Sequence, residues 1–408
     1  MKKHRAEKFW NYAIRFTAPP PSGLTLATDM HPGGTIDVDV CIVTNCAFPG
    51  GNAATTITEL QALKAAGLKV LIVHCSMRRS RWKWRWIAER FLPVQEYVAS
   101  STDIDSIKCK SLIVRGPRMT MSSAFQKLAS KIKPEHAIFV VNNSAWNEDG
   151  RPIFSWPDLH RRVDSLPWRR KEVCPTGPII RAESARDSEG TDAPDTLSTR
   201  DWPPVLDEDA FDFAPRTTMQ EPIIIGRHAR DHFGKWLEDP EDLLAVYPAD
   251  DPVLRVSILG GADTVGKILG KIPNEWDVLP FGLAGVQDYL ATLDVFVNFP
   301  SAERHEAFGR TIVEAILSGL PVILPPRFKA TFGDLAFYCG PEEVRGVIER
   351  LASDDKGRLA HVTACRDLAA SLYCAPSLVR RLREGTNVAQ PSLESSQKAW
   401  RAGIMAQP

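Results

Sequence analysis

The chain has 408 residues, which is too long for one ordinary hydrophobic core and suits two domains of roughly 150–200 residues each. Fifty Lys and Arg residues balance fifty Asp and Glu residues, so the overall charge argues against a dedicated nucleic-acid-binding protein. A hydrophobic fraction of 44% and a charged fraction of 25% are typical of globular proteins that fold without metal or disulfide cross-links.

The cysteines and the N-terminal sequence indicate the compartment. The eight cysteines are scattered without a C-x-x-C pair, which predicts buried, reduced thiols. The N-terminal sequence MKKHRAEKFWNYAIRF is basic but lacks the uninterrupted apolar stretch of a signal peptide, and the chain has no run of about 18 apolar residues. We therefore expect a cytoplasmic protein.

The first half of the chain has the pattern of a layered α/β domain. Residues 1–36 are expected to form an irregular leader before a first apolar, β-branched strand at 38–44. The amphipathic stretch NAATTITELQALKAAG and a second strand, LKVLIVH, complete a βαβ unit. Further strands are predicted at 111–115 and 137–141, with a helix at 121–132 between them. Residues 37–215 are therefore predicted to form a Rossmann-like domain.

The second half begins after a polar segment. Residues 181–215 are rich in Ser, Asp, Thr and Pro, which predicts an extended interdomain segment that cannot fill a core. Six apolar strands then alternate with short helices, which predicts a second parallel sheet over residues 216–385: EPIIIG, VLRVSILGG, WDVLP, DVFVN, PVILP and LAFYC. Residues 386–408 are predicted to form a polar tail.

The loop after the strand EPIIIG carries three basic residues. Ligands bind at the carboxyl ends of strands in open parallel sheets, and Arg227, Arg230 and Lys235 follow this strand within nine residues. Guanidinium and ammonium groups in such a loop suit a phosphate or a diphosphate. The alternative is a solvated basic loop that Asp231 partly neutralises.

The loop after the strand DVFVN contains two glutamates, Glu306 and Glu314, separated by seven residues. Glu306 precedes a predicted helix and Glu314 lies inside it, so the pair spans about 12 Å along the helix axis. That length fits a sugar at one end and a ribose at the other. The N–H groups of the helix start at Phe308 and Gly309 are suited to a diphosphate between them, and Gly309 permits a close approach of the backbone.

These motifs, in this order, resemble the C-terminal domain of retaining glycosyltransferases of family 4, which have the GT-B fold of two Rossmann-like domains around a cleft. The resemblance covers about 100 residues and includes the strand with its G-R loop, a strand ending in a glycine pair at Gly260, and E-A-x-x-x-G-x-P-V after the helix. It implies that Arg227 and Lys235 hold the donor diphosphate. Seven residues separate Arg227 from Lys235 where the family usually has four or five, and His232 occupies the more usual position.

The same resemblance implies the roles of the glutamate segment. Glu306 would lie near the donor sugar and the reacting centre, with Ala307, Phe308 and Gly309 beside the donor, and Glu314 would accept hydrogen bonds from the ribose. Positive groups directed at the charge that grows on the diphosphate would supply the catalytic electrostatics, so neither a metal nor a cofactor is expected.

Two further segments are candidates in the N-terminal half. Gly50 and Gly51 open a helix after the first strand and resemble the glycine-rich loop of the family, the alternative being a tight turn that uses glycine for a positive φ. Between Arg78 and Phe91, cations alternate with Trp82, Trp84 and Trp86. This pattern suits anionic lipid at a membrane surface, an anionic glycan, or an amphipathic element packed on the sheet.

The sequence thus predicts sugar transfer from a nucleotide-sugar donor to a glycan or glycolipid, with retention at the anomeric carbon. The alternatives are an inactive sugar-nucleotide-binding scaffold at a membrane and a nucleotide-sugar epimerase of the same fold. A phosphorylase is disfavoured by the length of the chain. Candidate acceptor-side residues, chosen by their location alone, are His136, Asn142, Asn143 and His160.

Overall fold

A computed structural model describes most of the chain, namely residues 27, 34–48, 50–76, 87–146, 151–187, 194–280, 282–302, 306–385 and 390–406. Most of the predicted leader and all three tryptophans of the basic run, Trp82, Trp84 and Trp86, lie outside these residues. The structure therefore leaves the membrane-contact hypothesis for that run as a prediction.

The N-terminal domain contains a six-stranded sheet in which all neighbours are parallel, in the order β3-β2-β1-β4-β5-β6. Its strands are β1 (Thr35–Thr44), β2 (Val70–His74), β3 (Val98–Ser100), β4 (Ser106–Arg115), β5 (Ile132–Val141) and β6 (Lys171–Pro175). The four strands expected from sequence are confirmed. The short strands β3 and β6 were missed, because three to five residues of mixed character carry little periodicity.

Helices cover both faces of this sheet, which explains why its central strands are apolar on both sides. They are α1 (Gly51–Ala65), α2 (Pro117–Thr120), α3 (Ser123–Ala129), α4 (Trp156–Asp164) and α5 (Pro178–Asp187). A 3₁₀ segment, Glu89–Tyr97, precedes β3.

The C-terminal domain repeats the same architecture, with a parallel sheet in the order β12-β11-β10-β7-β8-β9. Its strands are β7 (Ile223–His228), β8 (Leu254–Leu259), β9 (Asp277–Leu279), β10 (Val295–Val297), β11 (Val322–Leu324) and β12 (Phe337–Tyr338). All six lie where the sequence placed them. Each sheet has the doubly wound order 3-2-1-4-5-6, so the predicted pair of Rossmann-like sheets is confirmed.

The helices of this domain also match the predicted pattern of alternation. They are α6 (Pro240–Val246), α7 (Asp263–Leu269), α8 (Val286–Leu290), α9 (Arg310–Leu317), α10 (Lys329–Phe332), α11 (Val344–Ser353), α12 (Asp355–Tyr373), α13 (Ala375–Glu384) and α14 (Ser395–Met405). Local sequence sets the helix starts. At α6, for example, Asp239 accepts hydrogen bonds from the N–H groups of Glu241 and Asp242 at 2.8 and 3.1 Å.

Two elements link the domains. Helix α13 leaves the C-terminal domain and packs against α1, so that Leu378 joins the core of the N-terminal domain.

The polar segment before β7, which is the second link between the domains, differs from the expectation of an extended loop outside any core. Three of its apolar residues, Trp202, Val205 and Leu206, are fully buried, and the guanidinium of Arg381 on α13 lies 4.8 Å from the Trp202 ring centroid.

The C-terminal residues also differ from the expected polar tail. Residues 395–405 form α14, in which Trp400 and Ile404 share one face and pack on the C-terminal core. The Trp400 indole donates a hydrogen bond of 2.8 Å to Asp354. Two apolar residues at helical spacing were enough to anchor this polar segment.

All eight cysteines are buried, as predicted. Among the helices that the structure describes, none combines the length and the apolar character needed to cross a bilayer.

Candidate functional site

The predicted site residues of the C-terminal domain gather at the carboxyl edge of its sheet. Strands β7 and β10 are neighbours, and the connections that follow them leave the sheet on opposite faces. This switch point is where parallel sheets of this order bind ligands. Lys235 follows β7, and Glu306 follows β10.

Arg227 lies beneath the loop that follows β7. Its side chain is only 1% exposed, its guanidinium carbon lies 4.7 Å from the Trp236 ring centroid, and its Nη1 donates to the carbonyl of Lys235. In this position Arg227 supports the loop from below. Its predicted contact with a diphosphate is not tested by this arrangement and stays a prediction.

The loop from 229 to 236 is held by its own side chains. Asp231 accepts hydrogen bonds from the Trp236 indole and from the Thr264 N–H, each at 3.0 Å. His232 caps the 3₁₀ turn Phe233–Lys235 by accepting from the Gly234 N–H at 3.1 Å. Asp231 therefore serves the loop structure, whereas Arg230 is exposed to solvent.

Lys235 and Glu306 form an ion pair, although 71 positions separate them in the chain. The two side chains are 33% and 24% exposed, so the pair is accessible from solvent. The sequence analysis selected both residues, and the structure brings them together. Within this loop it is Lys235 that pairs with Glu306, while His232 caps the turn before it.

Gly260, at the end of β8, allows the chain to pass close to the β7 loop. Its φ is +121°, and a Cβ atom at this position would lie 1.8 Å from the carbonyl oxygen of Ala229. Its N–H donates to the Leu279 carbonyl at 2.8 Å. Only glycine fits here, so Gly260 shapes the floor of the site.

Helix α9 begins immediately after the Glu306 segment. Gly309 is its N-cap, with a φ of +94°. The Ile312 N–H donates to the Gly309 carbonyl at 3.0 Å, and the first N–H groups of a helix in general lack the carbonyl partner four residues earlier. Phe308 is buried against Phe332 and Tyr373, with ring centroids 5.5 and 5.3 Å away, while Ala307 packs against the N-terminal core. This segment is therefore fixed to both domains.

Phe308 also borders a cavity of about 280 Å³ between the domains. Its wall is formed by the N-terminal domain, by helices α10 and α12, and by the polar segment before β7, which we call the linker. Its lining includes Gly177, Asp201, Phe308, Thr331 and Tyr373.

Glu314, the fifth residue of α9, lies between two protein groups, of which Arg310 makes a hydrogen bond to it. One carboxylate oxygen accepts from Arg310 Nε at 2.8 Å, and the other lies 3.2 Å from His228 Nε2. Burial raises the pKa of Glu314, and the Arg310 guanidinium opposes this rise, as does Arg90 of the N-terminal domain. Burial and the nearby guanidinium groups lower the pKa of His228 to about 3, so His228 is neutral near pH 7.

The glycine-rich loop of the N-terminal domain faces this region across the domain boundary. Neither Gly50 nor Gly51 has a positive φ, so the alternative of a glycine-requiring tight turn is wrong. A Cβ atom at either glycine would meet no atom of the described residues within 4 Å. Within the described part of the chain, both positions therefore leave room for a ligand.

A chain of polar side chains lies beside this loop. Asn142, after β5, donates to Asn52 at 3.0 Å, and Asn52 donates to Thr44 at 2.8 Å. In the first turns of α1, Thr55 accepts a hydrogen bond from Arg310 at 3.2 Å. This bond ties the helix after Gly51 to the helix that carries Glu314.

The other acceptor-side candidates differ in their surroundings. His136 lies within β5 and pairs with Glu172 at 2.9 Å, and His160 is buried on α4 with its Nδ1 2.7 Å from the Thr196 hydroxyl. Both take part in contacts within the N-terminal domain. Asn143, next to Asn142, donates to the Ser144 carbonyl at 3.1 Å.

The sequence analysis missed His228, Arg310 and Arg90. Alternation along β7 would have placed His228 on the opposite face from Arg227, towards α9. The spacing of Arg310 and Glu314, four residues apart on a helix, would also have predicted their contact. No local pattern signals Arg90, because its proximity to Glu314 depends on how the two domains dock.

Comparisons with known proteins are consistent with this architecture. Neither the protein-family models nor the curated protein sequences give a match to the chain. Among solved structures, HepE of Anabaena in complex with UDP and glucose is 13% identical, covers 85% of this chain and 99% of its own, and has a TM-score of 0.60. A glycosyltransferase from Rickettsia africae ESF-5 is 13% identical over 86% of this chain and 98% of its own, with a TM-score of 0.59.

An α-glucosyltransferase in complex with UDP is also similar, at 12% identity over 85% of this chain and 99% of its own, with a TM-score of 0.55. Likeness at this level of identity establishes the fold. The predicted GT-B architecture of two Rossmann-like domains is therefore confirmed, and this chain has the fold of these glycosyltransferases.

Proposed function

We propose that the protein is a glycosyltransferase that moves a sugar from a nucleotide-sugar donor to a glycan or glycolipid, with retention at the anomeric carbon. The observation that carries the proposal is the Lys235–Glu306 pair at the sheet switch point, beside the start of α9. Bound UDP and glucose in HepE, and bound UDP in the α-glucosyltransferase, support a nucleotide-sugar donor for this chain as well.

The proposed donor pose follows the length of the E-x7-E segment. The diphosphate lies near Lys235 and the N-terminus of α9, whose N–H groups carry partial positive charge. When the bond between the anomeric carbon and the phosphate oxygen breaks, the electron pair stays on the diphosphate, and these groups stabilise the growing charge. In this pose Glu306 accepts hydrogen bonds from the hydroxyl groups of the donor sugar.

In this proposal the ribose binds at Glu314. This carboxylate is recessed in the protein, where the hydrogen bonds it accepts are strong because little water competes for it. Protein cations supply the positive charge at the diphosphate, so we propose a reaction that needs no metal ion.

The acceptor is proposed to enter from the side of the N-terminal domain. Gly50, Gly51 and Asn142 lie at the carboxyl edge of that sheet, where Phe48 and Trp146 are 40% and 47% exposed in the loops after β1 and β5. Exposed aromatic faces beside polar groups suit a sugar ring or the apolar part of a glycolipid. Membrane contact through the basic, tryptophan-rich run is part of the same hypothesis, although Phe91 at the end of the predicted Arg78–Phe91 segment is fully buried and cannot take part. Salt-sensitive binding to anionic vesicles would test this contact.

The experiment that tests the proposal has two stages. Thermal shifts with UDP, GDP, ADP and TDP identify the nucleotide, and turnover of the matching nucleotide sugars is then measured as nucleoside diphosphate release, with and without EDTA. We expect binding of one nucleotide and slow, EDTA-insensitive release that acceptor glycans accelerate.

Other results would favour another function. Binding without turnover in the presence of acceptors would favour the inactive scaffold, and interconversion of the donor sugar would favour the epimerase. NMR of the product anomer tests retention. Absence of binding to every nucleotide and nucleotide sugar would refute the proposal.

A further inference from the structure

Arg310 is placed to do more than balance the charge of Glu314. Its Nε donates to Glu314 on the same helix at 2.8 Å, and its Nη1 lies 3.2 Å from the Thr55 hydroxyl of α1 and 3.3 Å from the Val205 carbonyl of the linker. One guanidinium therefore joins the C-terminal domain, the N-terminal domain and the segment that connects them.

The carboxylate of Glu314 has few degrees of freedom in this arrangement. His228 approaches the oxygen that Arg310 does not bind, at 3.2 Å, and the side chain of Glu314 is only 11% exposed. A guanidinium is planar and presents its N–H groups in a fixed fork, so it sets the direction of the carboxylate as well as its charge.

We propose that Arg310 is a positioning residue for nucleotide recognition: it holds Glu314 ionised and oriented towards the ribose, and through Thr55 it makes this orientation depend on contact with the N-terminal domain. This inference rests on the proposed function, because it assumes that Glu314 binds the donor ribose. It assigns Arg310 no contact with the reacting atoms.

The ionisation of Glu314 depends on several groups. Burial raises its pKa, whereas Arg310 and Arg90 lower it. His228 is neutral and adds no positive charge in the neutral pH range. Loss of the Arg310 guanidinium therefore shifts the pKa of Glu314 upwards, and a protonated Glu314 loses the charge-assisted hydrogen bonds that a ribose would donate to it.

The test uses calorimetry to measure how tightly each variant binds the nucleoside diphosphate that the wild type binds, from pH 5 to pH 8.5. The variants are Arg310→Met, Arg310→Lys and Glu314→Gln. We expect Arg310→Met to bind about tenfold more weakly at low pH, with its loss of affinity setting in about one pH unit higher than in the wild type. Arg310→Lys keeps the positive charge and should restore the wild-type pH profile.

Two further variants separate positioning from general damage. In Arg310→Met combined with Glu314→Gln, no carboxylate remains to be ionised, so the pH shift should vanish. Thr55→Val removes only the hydrogen bond across the domains and should raise the Kd about threefold with an unchanged pH profile. The inference is overturned if Arg310→Met weakens binding equally at every pH, if the shift survives Glu314→Gln, or if Thr55→Val binds like the wild type.

The melting temperature of the same variants provides a readout without nucleotide. A carboxyl group whose folded pKa lies above its unfolded value loses stabilising free energy as the pH rises. The melting temperature of Arg310→Met should therefore fall further below that of the wild type as the pH rises from 5 to 8. If no nucleotide binds to the wild type, the proposed function and the ribose role of Glu314 both fail. A difference in melting temperature that stays constant with pH would show that Arg310 does not hold Glu314 ionised.

Discussion

The Lys235–Glu306 pair allows a quantitative prediction about catalysis. Lys235→Met removes the ammonium group and keeps the length of the side chain. Removal of one preorganised donor from a developing oxyanion costs about 3 kcal/mol. Lys235 is 33% exposed and partly solvated, so we expect a loss of about 2–3 kcal/mol, which corresponds to a fall in kcat of about 30- to 160-fold.

The pair should also behave as a unit. Glu306→Gln removes the negative charge near the bond that breaks, so it should mainly lower kcat. The double variant should lose less than the sum of the two single losses, because each single change leaves the other charge without its partner. A coupling free energy of about 1 kcal/mol is expected.

The assay is the release of nucleoside diphosphate at saturating donor, with kcat and KM determined separately. Lys271→Met, which removes an exposed lysine outside the site, is the control for the lost charge. Unchanged kcat in both single variants, or strictly additive losses in the double variant, would refute the assignment of this pair to the reacting centre.

Three further outcomes are expected. Glu314→Gln should raise the donor KM about tenfold and leave kcat nearly unchanged, because ribose contacts are similar in the ground and transition states; a loss of kcat alone would contradict the ribose position. Gly260→Ala should cost about 3 kcal/mol or more in urea unfolding, since its Cβ would lie 1.8 Å from the Ala229 carbonyl oxygen. The control Gly270→Ala also has a positive φ but meets no described residue within 4 Å, so it should cost about 1 kcal/mol; equal losses would show that the close contact is unimportant. His228 has a folded pKa of about 3, so its neutral form stabilises the protein above pH 6.5, and the free energy of unfolding falls by about 2 kcal/mol between pH 6.5 and pH 5. The urea midpoint of His228→Gln should therefore fall less over this range than that of the wild type. Parallel falls would argue against a buried neutral imidazole.

Ten of the twelve strands and the main site loops could be predicted from sequence. Strands such as β1 and β8 are short apolar runs, and their burial on both faces follows from the helices that alternate with them. The loop after β7 and the segment after β10 were predicted because ligands of parallel sheets bind at carboxyl ends. The pattern of apolar strands and helices also predicted the parallel arrangement of each sheet.

Other features depended on contacts that no local pattern contains. Trp202 lies in a polar segment, yet it is fully buried in the core of the N-terminal domain that Leu378 of α13 also joins. Helix α13 lies between α12 and α14 of the C-terminal domain in the chain but packs on α1 of the N-terminal domain. Composition describes what a segment would do in water, whereas these residues are buried by surfaces contributed from distant parts of the chain.

Local sequence was enough to predict ten of the twelve strands, the alternation of strands and helices in each half, and the chemical character of the site, since neighbouring residues set periodicity, turns and the types of side chain in each loop. Which of those side chains meet depends on tertiary packing. It paired Lys235 with Glu306, turned Arg227 towards Trp236 beneath the loop, and joined Arg310 to Thr55 across the domains. Such contacts depend on the packing of elements far apart in the chain, and a change of one position along a strand reverses the face on which a side chain lies.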